Sequence, residues 1–200
     1  MPPIHTPRLV LLPATVDTLR AELESRAALG RAVGATVSDE WPPELYDENA
    51  TRWTLAALER EPAFAEWGMY YVLLSPGSAA SGSAAVIGTS GIKGPPDPAG
   101  VVEIGYAILP AHRLRGYARE AVDGLLAFAF ADARVTMVVA HTLPELIPSI
   151  GVLRSAGFTF AGSGNDPDEP TAIRYELSRR DYEATVTGRA PVRLRESAFD

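Results

Sequence analysis

The most constraining feature of this sequence is a strand that runs through a basic, glycine-containing turn directly into an amphipathic helix. Residues 101–109 are typical of a strand, and apolar residues at helical spacing predict a helix over 119–131. Arg113, Arg115 and Gly116 lie between them. The first N–H groups of a helix lack partners within the helix, so this turn suits an anion such as a pyrophosphate. The alternative is an ordinary helix start with no ligand.

The strand before the turn divides its side chains between two faces, because alternate residues of a strand point in opposite directions. One face is bulky and is predicted to be core: Val102, Ile104, Tyr106 and Ile108. The other face sets a carboxylate beside small residues: Val101, Glu103, Gly105, Ala107 and Leu109. The small residues leave room for a ligand along the strand, with Glu103 directed into that room. The sequence supports an alternative equally well: a helix packs closely against Gly105 and Ala107, and Glu103 lies in solvent.

The order of predicted elements indicates one mixed α/β domain with an antiparallel meander in its middle. Strands are predicted over residues 8–12, 69–74, 85–92, 101–109, 136–140, 158–160 and 172–177. Besides the helix over 119–131, helices are predicted from a cap at Thr15 to near Gly30, from Asp47 to Pro62, and over 149–156. Residues 178–200 become charged and lose periodicity. We expect a domain over residues 1–182 and a partly ordered tail over 183–200.

Composition excludes several classes of function. The 25 acidic residues outnumber the 18 basic ones, giving a net charge of −7, whereas a nucleic-acid partner requires a basic surface. The absence of cysteine excludes disulfides, zinc–thiolate sites and thiol nucleophiles. The three histidines have no metal-ligand spacing, so no metal is expected. No apolar run is long enough for a transmembrane helix and no signal peptide is apparent, so we expect a cytoplasmic protein without a membrane partner.

The turn carries a family resemblance. Arg113-Leu114-Arg115-Gly116-Tyr117-Ala118 is similar to the Arg/Gln-x-x-Gly-x-Gly/Ala signature of the GNAT acetyltransferase superfamily. Three further segments resemble the branch that contains the ribosomal-protein N-terminal acetyltransferases: residues 6–11, 144–158 and 175–182. The resemblance spans residues 6–182 in the family's order. It implies a GNAT fold, in which helices flank a mostly antiparallel sheet that splays at the cofactor slot.

The resemblance also implies acetyl-CoA as donor and an amine as acceptor. Backbone N–H groups of the signature turn would hold the CoA pyrophosphate, and the preceding strand would pair with the pantetheine amides. The residues assigned to acetyl-CoA are therefore Ala107, Ile108, Leu109, Arg113, Leu114, Arg115, Gly116, Tyr117 and Ala118.

Two residues are assigned to catalysis by the resemblance. Glu103 is in the position of a general base, which is needed because most amines are protonated at neutral pH and an ammonium has no lone pair. Other branches donate a proton to the leaving thiolate from a tyrosine, but Leu153 occupies that position, and Leu146 replaces an asparagine that supports the cofactor. Ser149 is the remaining candidate for the acid. It is equally a candidate for a helix N-cap.

The acceptor is the least determined part of the prediction. Trp41, Tyr46 and Trp53, near Asp39 and Glu40, are predicted to line an acceptor pocket that favours a cation, with a packing cluster as the alternative. Because no cysteine is present to carry an acyl group, we expect direct attack by the amine. A protein N-terminus is the first candidate acceptor. The alternatives are a small amine (an antibiotic, a polyamine or an amino acid) and a non-catalytic acyl-CoA-binding module; a homodimer is compatible with each.

Overall fold

The computed structural model describes residues 1–79, 82–163 and 171–186. Within them, the strands are β1 (Ile4–His5), β2 (Leu9–Pro13), β3 (Thr36–Val37), β4 (Met69–Leu74), β5 (Ala85–Ile92), β6 (Val101–Ile108), β7 (Met137–Thr142), β8 (Thr159–Ser163) and β9 (Ile173–Ser178). The α-helices are α1 (Val16–Glu24), α2 (Arg26–Val33), α3 (Glu48–Arg60), α4 (Tyr117–Ala131), α5 (Ile147–Ser155) and α6 (Arg179–Val186). Short 3-10 helices lie at Pro62–Glu66 and Pro110–His112. No helix in these ranges is long and apolar enough to cross a membrane.

The strands form one sheet in the order β1-β2-β4-β5-β6-β7-β9-β8, with β3 added beside β5. Only the pairs β6–β7 and β3–β5 are parallel among the described strands. The other pairs are antiparallel, including the β4–β5–β6 meander. The predicted mixed α/β fold with a mostly antiparallel sheet is therefore confirmed.

Helices cover both faces of the sheet, which explains why β4 is apolar along its whole length. Its residues Tyr70 and Val72 belong to one hydrophobic core, into which α4 packs Val122 and Leu125. Tyr71 and Leu73 of the same strand, together with side chains of α1 and α2, belong to a second core on the opposite face. The sheet is thus held between α4 on one side and the N-terminal helices on the other.

The predicted helix between Thr15 and Gly30 is wrong, because the structure breaks it into α1 and α2. Ser25 adopts an extended conformation between them, with φ −172° and ψ 159°. Its side chain accepts a hydrogen bond from the Ala28 N–H and so caps α2. The expected caps at Thr15 and Asp47 are both present.

Three short elements were not predicted: β1, β3 and α6. Residues 183–186 of the predicted tail form the end of α6, and the rest of that tail lies outside the described residues. Arg179, at the start of α6, donates hydrogen bonds to the carbonyls of Phe130, Asp132 and Val135. The helix is therefore tied to the C-terminal end of α4.

Candidate active site

The slot that the fold offers to a ligand opens between β6 and β7. The two strands pair through Val101, Val102 and Glu103 of β6, and no pairing is found further along β6 in the described structure. β6 stays paired with β5 as far as Ile108, whereas β7 continues along β9. The strands therefore diverge after Glu103, which confirms the splayed sheet.

Hydrogen bonds on the β5 side show which backbone groups of β6 face the slot. Lys93 N–H donates to the Glu103 carbonyl, and Leu109 N–H donates to the Ile87 carbonyl. Since backbone direction alternates along a strand, Ile104, Tyr106 and Ile108 present their backbone groups to the slot. Leu109, predicted to pair with the cofactor, has its N–H occupied and its side chain fully buried in the second core. That position is therefore not available for the predicted pairing.

A cavity of about 1120 Å³ occupies the slot and extends over α3, α4 and α5. Of the predicted site residues, those that line it are Tyr46, Trp53, Glu103, Ala107, Ile108, Arg113, Leu114, Gly116, Tyr117, Ala118 and Ser149. A Cβ on Gly105 would meet no atom within 4 Å, so this glycine faces open space. Trp41, Leu109 and Arg115 are not among the lining residues.

The turn before α4 presents unpaired backbone donors to the cavity. Leu114 and Gly116 both have positive φ, 58° and 80°, and Gly116 is the N-cap of α4. In the described part of the chain, the N–H groups of residues 114–118 have no hydrogen-bond partner. A cluster of free N–H groups at a helix N-terminus is an anion-binding site, strengthened by the positive end of the helix dipole. The Leu114 side chain is 97% exposed, so packing does not explain its strained backbone.

The turn is held in place by a residue that sequence reasoning did not assign to the site. Arg8 donates from Nε to Glu120 Oε2 at 2.7 Å, from its backbone N–H to Glu120 Oε1 at 2.7 Å, and from Nη1 to the Arg115 carbonyl at 3.0 Å. Its guanidinium lies 4.6 Å from the centre of the Tyr117 ring. Arg8 thus connects β2 to the first turn of α4. Its place in segment 6–11, which resembles the family's opening strand, is the sequence signal by which Arg8 could have been found.

Arg113 connects the far end of β6 to the loop before α3. Its Nε donates to the Ile108 carbonyl at 2.9 Å, and its Nη2 pairs with Glu44 at 2.8 Å. The Ile108 carbonyl on the slot side is therefore already used by the protein. His112, beside it, lines the same cavity. Burial, followed by the positive charge of Arg115, lowers the pKa of His112.

Glu103 lies where β6 and β7 begin to separate, next to two basic side chains. Lys93 Nζ is 2.5 Å from Glu103 Oε1. His141 Nδ1, on β7, is 3.1 Å from the same oxygen, within ion-pair distance but without hydrogen-bond alignment. All three side chains line the cavity. The cavity is thus lined at this point by a carboxylate with a lysine and a histidine beside it.

Ser149 lies inside α5 and is not its N-cap, because the helix begins at Ile147 after Leu146. Its Oγ is instead 3.1 Å from the phenol oxygen of Tyr106. Tyr106, predicted to be a core residue, lines the cavity and brings a second hydroxyl to this point. Burial raises the pKa of Tyr106 to about 12, so the phenol stays protonated at neutral pH. No local sequence pattern predicts this pair, since it depends on how α5 packs against β6.

Trp41 and Tyr46 converge on a buried carboxylate. Trp41 Nε1 donates to Glu22 Oε1 at 2.9 Å, and the Tyr46 and Tyr71 hydroxyls donate to Oε2 at 3.2 and 2.7 Å. Burial raises the pKa of Glu22, against the effect of these hydrogen bonds. Trp41 is only 6% exposed and packs in the second core, which is the arrangement of a packing cluster. Tyr46 belongs to this cluster and also lines the cavity.

Among the described residues, no group of three or more histidine, aspartate or glutamate side chains is arranged to hold a metal ion. The lysine, arginine and glutamate side chains that line the cavity are held in ion pairs: Lys93 with Glu103, Arg113 with Glu44, and Arg119 with Asp123 of the same helix. The arrangement suits a ligand with an anionic group at the turn and a proton-donating group near Glu103.

Comparison with known families identifies the class of protein that this fold and site define. Residues 8–159 match the model of the acetyltransferase (GNAT) domain. The chain therefore belongs to the GNAT acetyltransferase family. The match includes Arg8, the splayed strand β6, the whole signature turn and α5.

Individual relatives agree with this assignment. The chain is 33% identical over 73 residues to the uncharacterized N-acetyltransferase YjdG of Bacillus subtilis, which is 36% of this chain and 44% of that protein. The matched stretch thus spans less than half of that relative's length.

Solved structures share the fold at low sequence identity. RimJ of Mycobacterium smegmatis, in complex with CoA-disulfide, has a TM-score of 0.60 at 17% identity, covering 94% of this chain and 93% of that one. The ribosomal-protein-S5-alanine acetyltransferase of Vibrio fischeri has a TM-score of 0.61 at 16% identity, covering 90% and 98%. Ribosomal-protein acetyltransferases are thus among the structural neighbours of this chain, and the predicted resemblance is confirmed.

Proposed function

We propose that this protein transfers the acetyl group of acetyl-CoA to a primary amine by direct attack of that amine. One observation carries the proposal: Glu103 and the turn with the unpaired N–H groups, through Leu114 and residues 116–118, line the same cavity. The two features lie near opposite ends of the free edge of β6, separated by about 17 Å of strand from Glu103 to Ile108. An extended donor with a phosphate group at one end and a reactive acyl group at the other fits this separation.

The residues present fit acetyl-CoA. The N–H groups of the turn, helped by Arg115, would hold the pyrophosphate, and the slot-facing backbone of Ile104 and Tyr106 would pair with the amides of the pantetheine arm. The open space at Gly105 leaves room for that arm along the strand. When bound, acetyl-CoA supplies an acyl carbon activated by a thiol leaving group.

Glu103 would act as the general base. The acceptor enters as an ammonium, and its proton passes to Glu103 so that the nitrogen lone pair is free to attack. A nitrogen–carbon bond then forms and the carbon–sulfur bond breaks. The nitrogen loses its second proton and the thiolate takes one up, while the proton held by Glu103 is released to solvent. The products are an N-acetylated amine and CoA as its thiol. No residue carries the acetyl group, in keeping with the absence of cysteine.

Tyr106 and Ser149 would supply the proton taken up by the thiolate. Both hydroxyls line the cavity, and they are 3.1 Å apart. We assign the pair, rather than Ser149 alone, to this step. A thiolate is a tolerable leaving group by itself, since thiols have a pKa of about 8.5, so this step needs less assistance than deprotonation of the amine.

The experiment that tests the proposal uses acetyl-CoA with an isotopically labelled acetyl group. The protein is incubated with this donor and a mixture of primary amines and short peptides, and the products are identified by mass spectrometry while free thiol is measured. We expect a labelled N-acetyl product in amounts equal to the thiol released. Tight acetyl-CoA binding by calorimetry without any such product would support an acyl-CoA-binding module instead.

A further inference from the structure

We infer that the acceptor is a primary amine that carries an aromatic or large aliphatic group next to its nitrogen, and that Trp53 and Phe64 form the subsite for that group. The inference rests on the proposed acetyl transfer and names the class of acceptor. It excludes polyamines and aminoglycosides, whose several charges would require several carboxylates.

The first observation is an aromatic pair in the cavity wall. The rings of Trp53 and Phe64 have centroids 5.5 Å apart and an interplanar angle of 77°, an edge-to-face contact. Both residues line the cavity. Trp53 lies on α3 and is 57% exposed, even though an apolar core is close to this helix. An exposed indole that packs against a second ring is a suitable surface for binding an apolar group of a ligand.

The second observation is the place of this pair relative to Glu103. A Cβ on Gly94 would lie 3.5 Å from Phe64 Cε2, and Gly94 directly follows Lys93, which pairs with Glu103. Phe64 is thus at the Glu103 end of β6, the end far from the pyrophosphate turn. Met69 and Ile92, from the adjacent ends of β4 and β5, add apolar surface to the cavity there. An amine whose nitrogen contacts Glu103 would therefore have its substituent among apolar side chains.

The third observation is charge. The described lining residues include two carboxylates, and each already has a basic partner: Glu103 has Lys93 and Glu44 has Arg113. Lys93 adds a positive charge beside the base. A second ammonium on the acceptor would be desolvated without an unpaired carboxylate to receive it, which is costly. A single amine that loses its charge by donating a proton to Glu103 avoids this cost.

The test compares four amines and two peptides as acceptors with the same acetyl-CoA. 2-Phenylethylamine and 3-methylbutylamine carry apolar groups, whereas ethanolamine and spermidine do not. Two otherwise identical peptides begin with phenylalanine or with serine. Comparing them with the free amines shows whether the acceptor is a small molecule or the N-terminal residue of a peptide. We expect kcat/KM for each apolar acceptor to exceed that for its polar counterpart by about tenfold or more, the usual effect of a filled hydrophobic pocket.

Variants connect this preference to the aromatic pair. Trp53→Ala should raise KM for 2-phenylethylamine about tenfold and remove its advantage over ethanolamine, while the affinity for acetyl-CoA stays unchanged. Phe160→Ala is the matched control, since Phe160 is an aromatic residue that is 60% exposed and does not line the cavity. It should leave both acceptors unaffected.

The outcomes separate this inference from the proposed function. Faster acetylation of spermidine than of 2-phenylethylamine, or an apolar preference that survives Trp53→Ala, overturns the inference and leaves acetyl transfer standing. Acetyl-CoA binding without acetylation of any acceptor overturns both. A preference for the phenylalanine peptide over the free amine supports the inference and identifies an N-terminus as the source.

Discussion

The phenol oxygen of Tyr106 lies 3.1 Å from both the Oγ and the carbonyl oxygen of Ser149. A phenol has one proton, so when Tyr106 donates to the carbonyl, Ser149 can donate to the phenol oxygen. The strand β6 and the helix α5 are thus joined at the cavity wall by two hydroxyls that work as a unit. In the proposed reaction, this pair would take the role of the tyrosine that other branches of the family have at the position of Leu153.

Removing either hydroxyl should lower turnover with little effect on the binding of acetyl-CoA. We expect Tyr106→Phe and Ser149→Ala each to reduce kcat about tenfold, the low end for a positioned acid, since a thiolate leaves without help. The double variant should be little worse than either single one, because the two groups act together. Steady-state kinetics on the three variants, with calorimetry for CoA, measures this. Full turnover in both single variants would mean that the thiolate is protonated by solvent.

The pH dependence of turnover provides a separate check on Tyr106. Because its pKa is raised to about 12 by burial, the phenol should remain protonated throughout the range in which the enzyme is stable. We therefore expect that ionisation of Tyr106 causes no loss of kcat between about pH 8 and pH 10. Tyr106→Phe should then leave the shape of the pH profile unchanged in this range. An alkaline decline in this range that disappears in Tyr106→Phe would contradict the assignment.

Gly116 should be required for binding CoA rather than for folding alone. Gly116→Val forces a β-branched residue into a positive φ of 80° and places a Cβ 3.3 Å from Arg8 Nη2, beside the free N–H groups. We expect the dissociation constant for CoA to rise at least tenfold, about 1.4 kcal/mol. Gly34→Val is the control, since Gly34 has φ 65° at the end of α2 and does not line the cavity. Gly34→Val should lose comparable stability and bind CoA normally. Equal CoA affinity in the two variants would mean that the pyrophosphate binds elsewhere.

Arg8 should support the turn from outside the cavity. Arg8→Met leaves Glu120, whose side chain is only 13% exposed, without its charged partner, which costs about 1–3 kcal/mol of stability. It also frees the Arg115 carbonyl. We expect a lower melting temperature together with weaker CoA binding. Arg20→Met, which breaks an exposed pair with Glu59, should change neither. Normal CoA affinity in a destabilised Arg8→Met protein would limit Arg8 to folding.

Glu22 should make stability depend on pH in an unusual direction. Its pKa is raised in the folded protein from the ordinary value of 4.5, mainly by burial. The folded state therefore binds this proton more tightly than the unfolded state, and its contribution to stability is lost as pH rises above about 4.5. Glu22→Gln should be less stable at low pH, because one of three donors loses its acceptor. Its deficit relative to the original protein should shrink as pH rises, as measured by urea unfolding at several pH values. A deficit that grows with pH would contradict the raised pKa.

Local patterns predicted the parts of the fold that they control. The strands over 69–74 and 85–92 have the bounds expected from their apolar runs, because each is bordered by a turn-forming sequence. The break at Ser25 was missed, since helical spacing continues across it and the serine that caps α2 looks like an ordinary helix residue. Short strands such as β3 depend on a partner distant in sequence, which periodicity does not report.

The residues of the candidate site also fall into two groups, those predicted from local sequence and those whose surroundings depend on distant contacts. The turn over 113–118 and Glu103 were predicted because their chemistry lies in consecutive residues of one strand and one helix start. Tyr106 packs against the first core as predicted. It also lines the cavity, which alternation along β6 could not show because it depends on how α5 packs. Trp41 was assigned to the acceptor pocket because it is an aromatic residue near Asp39 and Glu40 in sequence. Its partner Glu22 lies 19 residues earlier, on α1, and sequence proximity did not reveal that contact.

The most direct test of this account is the rate of acetyl transfer by Glu103→Gln, measured as thiol release from acetyl-CoA at pH 7 and at pH 9.5 with a saturating amine. Glutamine keeps the shape of the side chain but accepts no proton. We expect unchanged CoA affinity, a loss of about 10²–10⁴-fold in turnover at pH 7, and a smaller loss at pH 9.5, where more of the amine is already neutral. Near-normal turnover at pH 7 in the folded variant would contradict it and assign the proton to another acceptor.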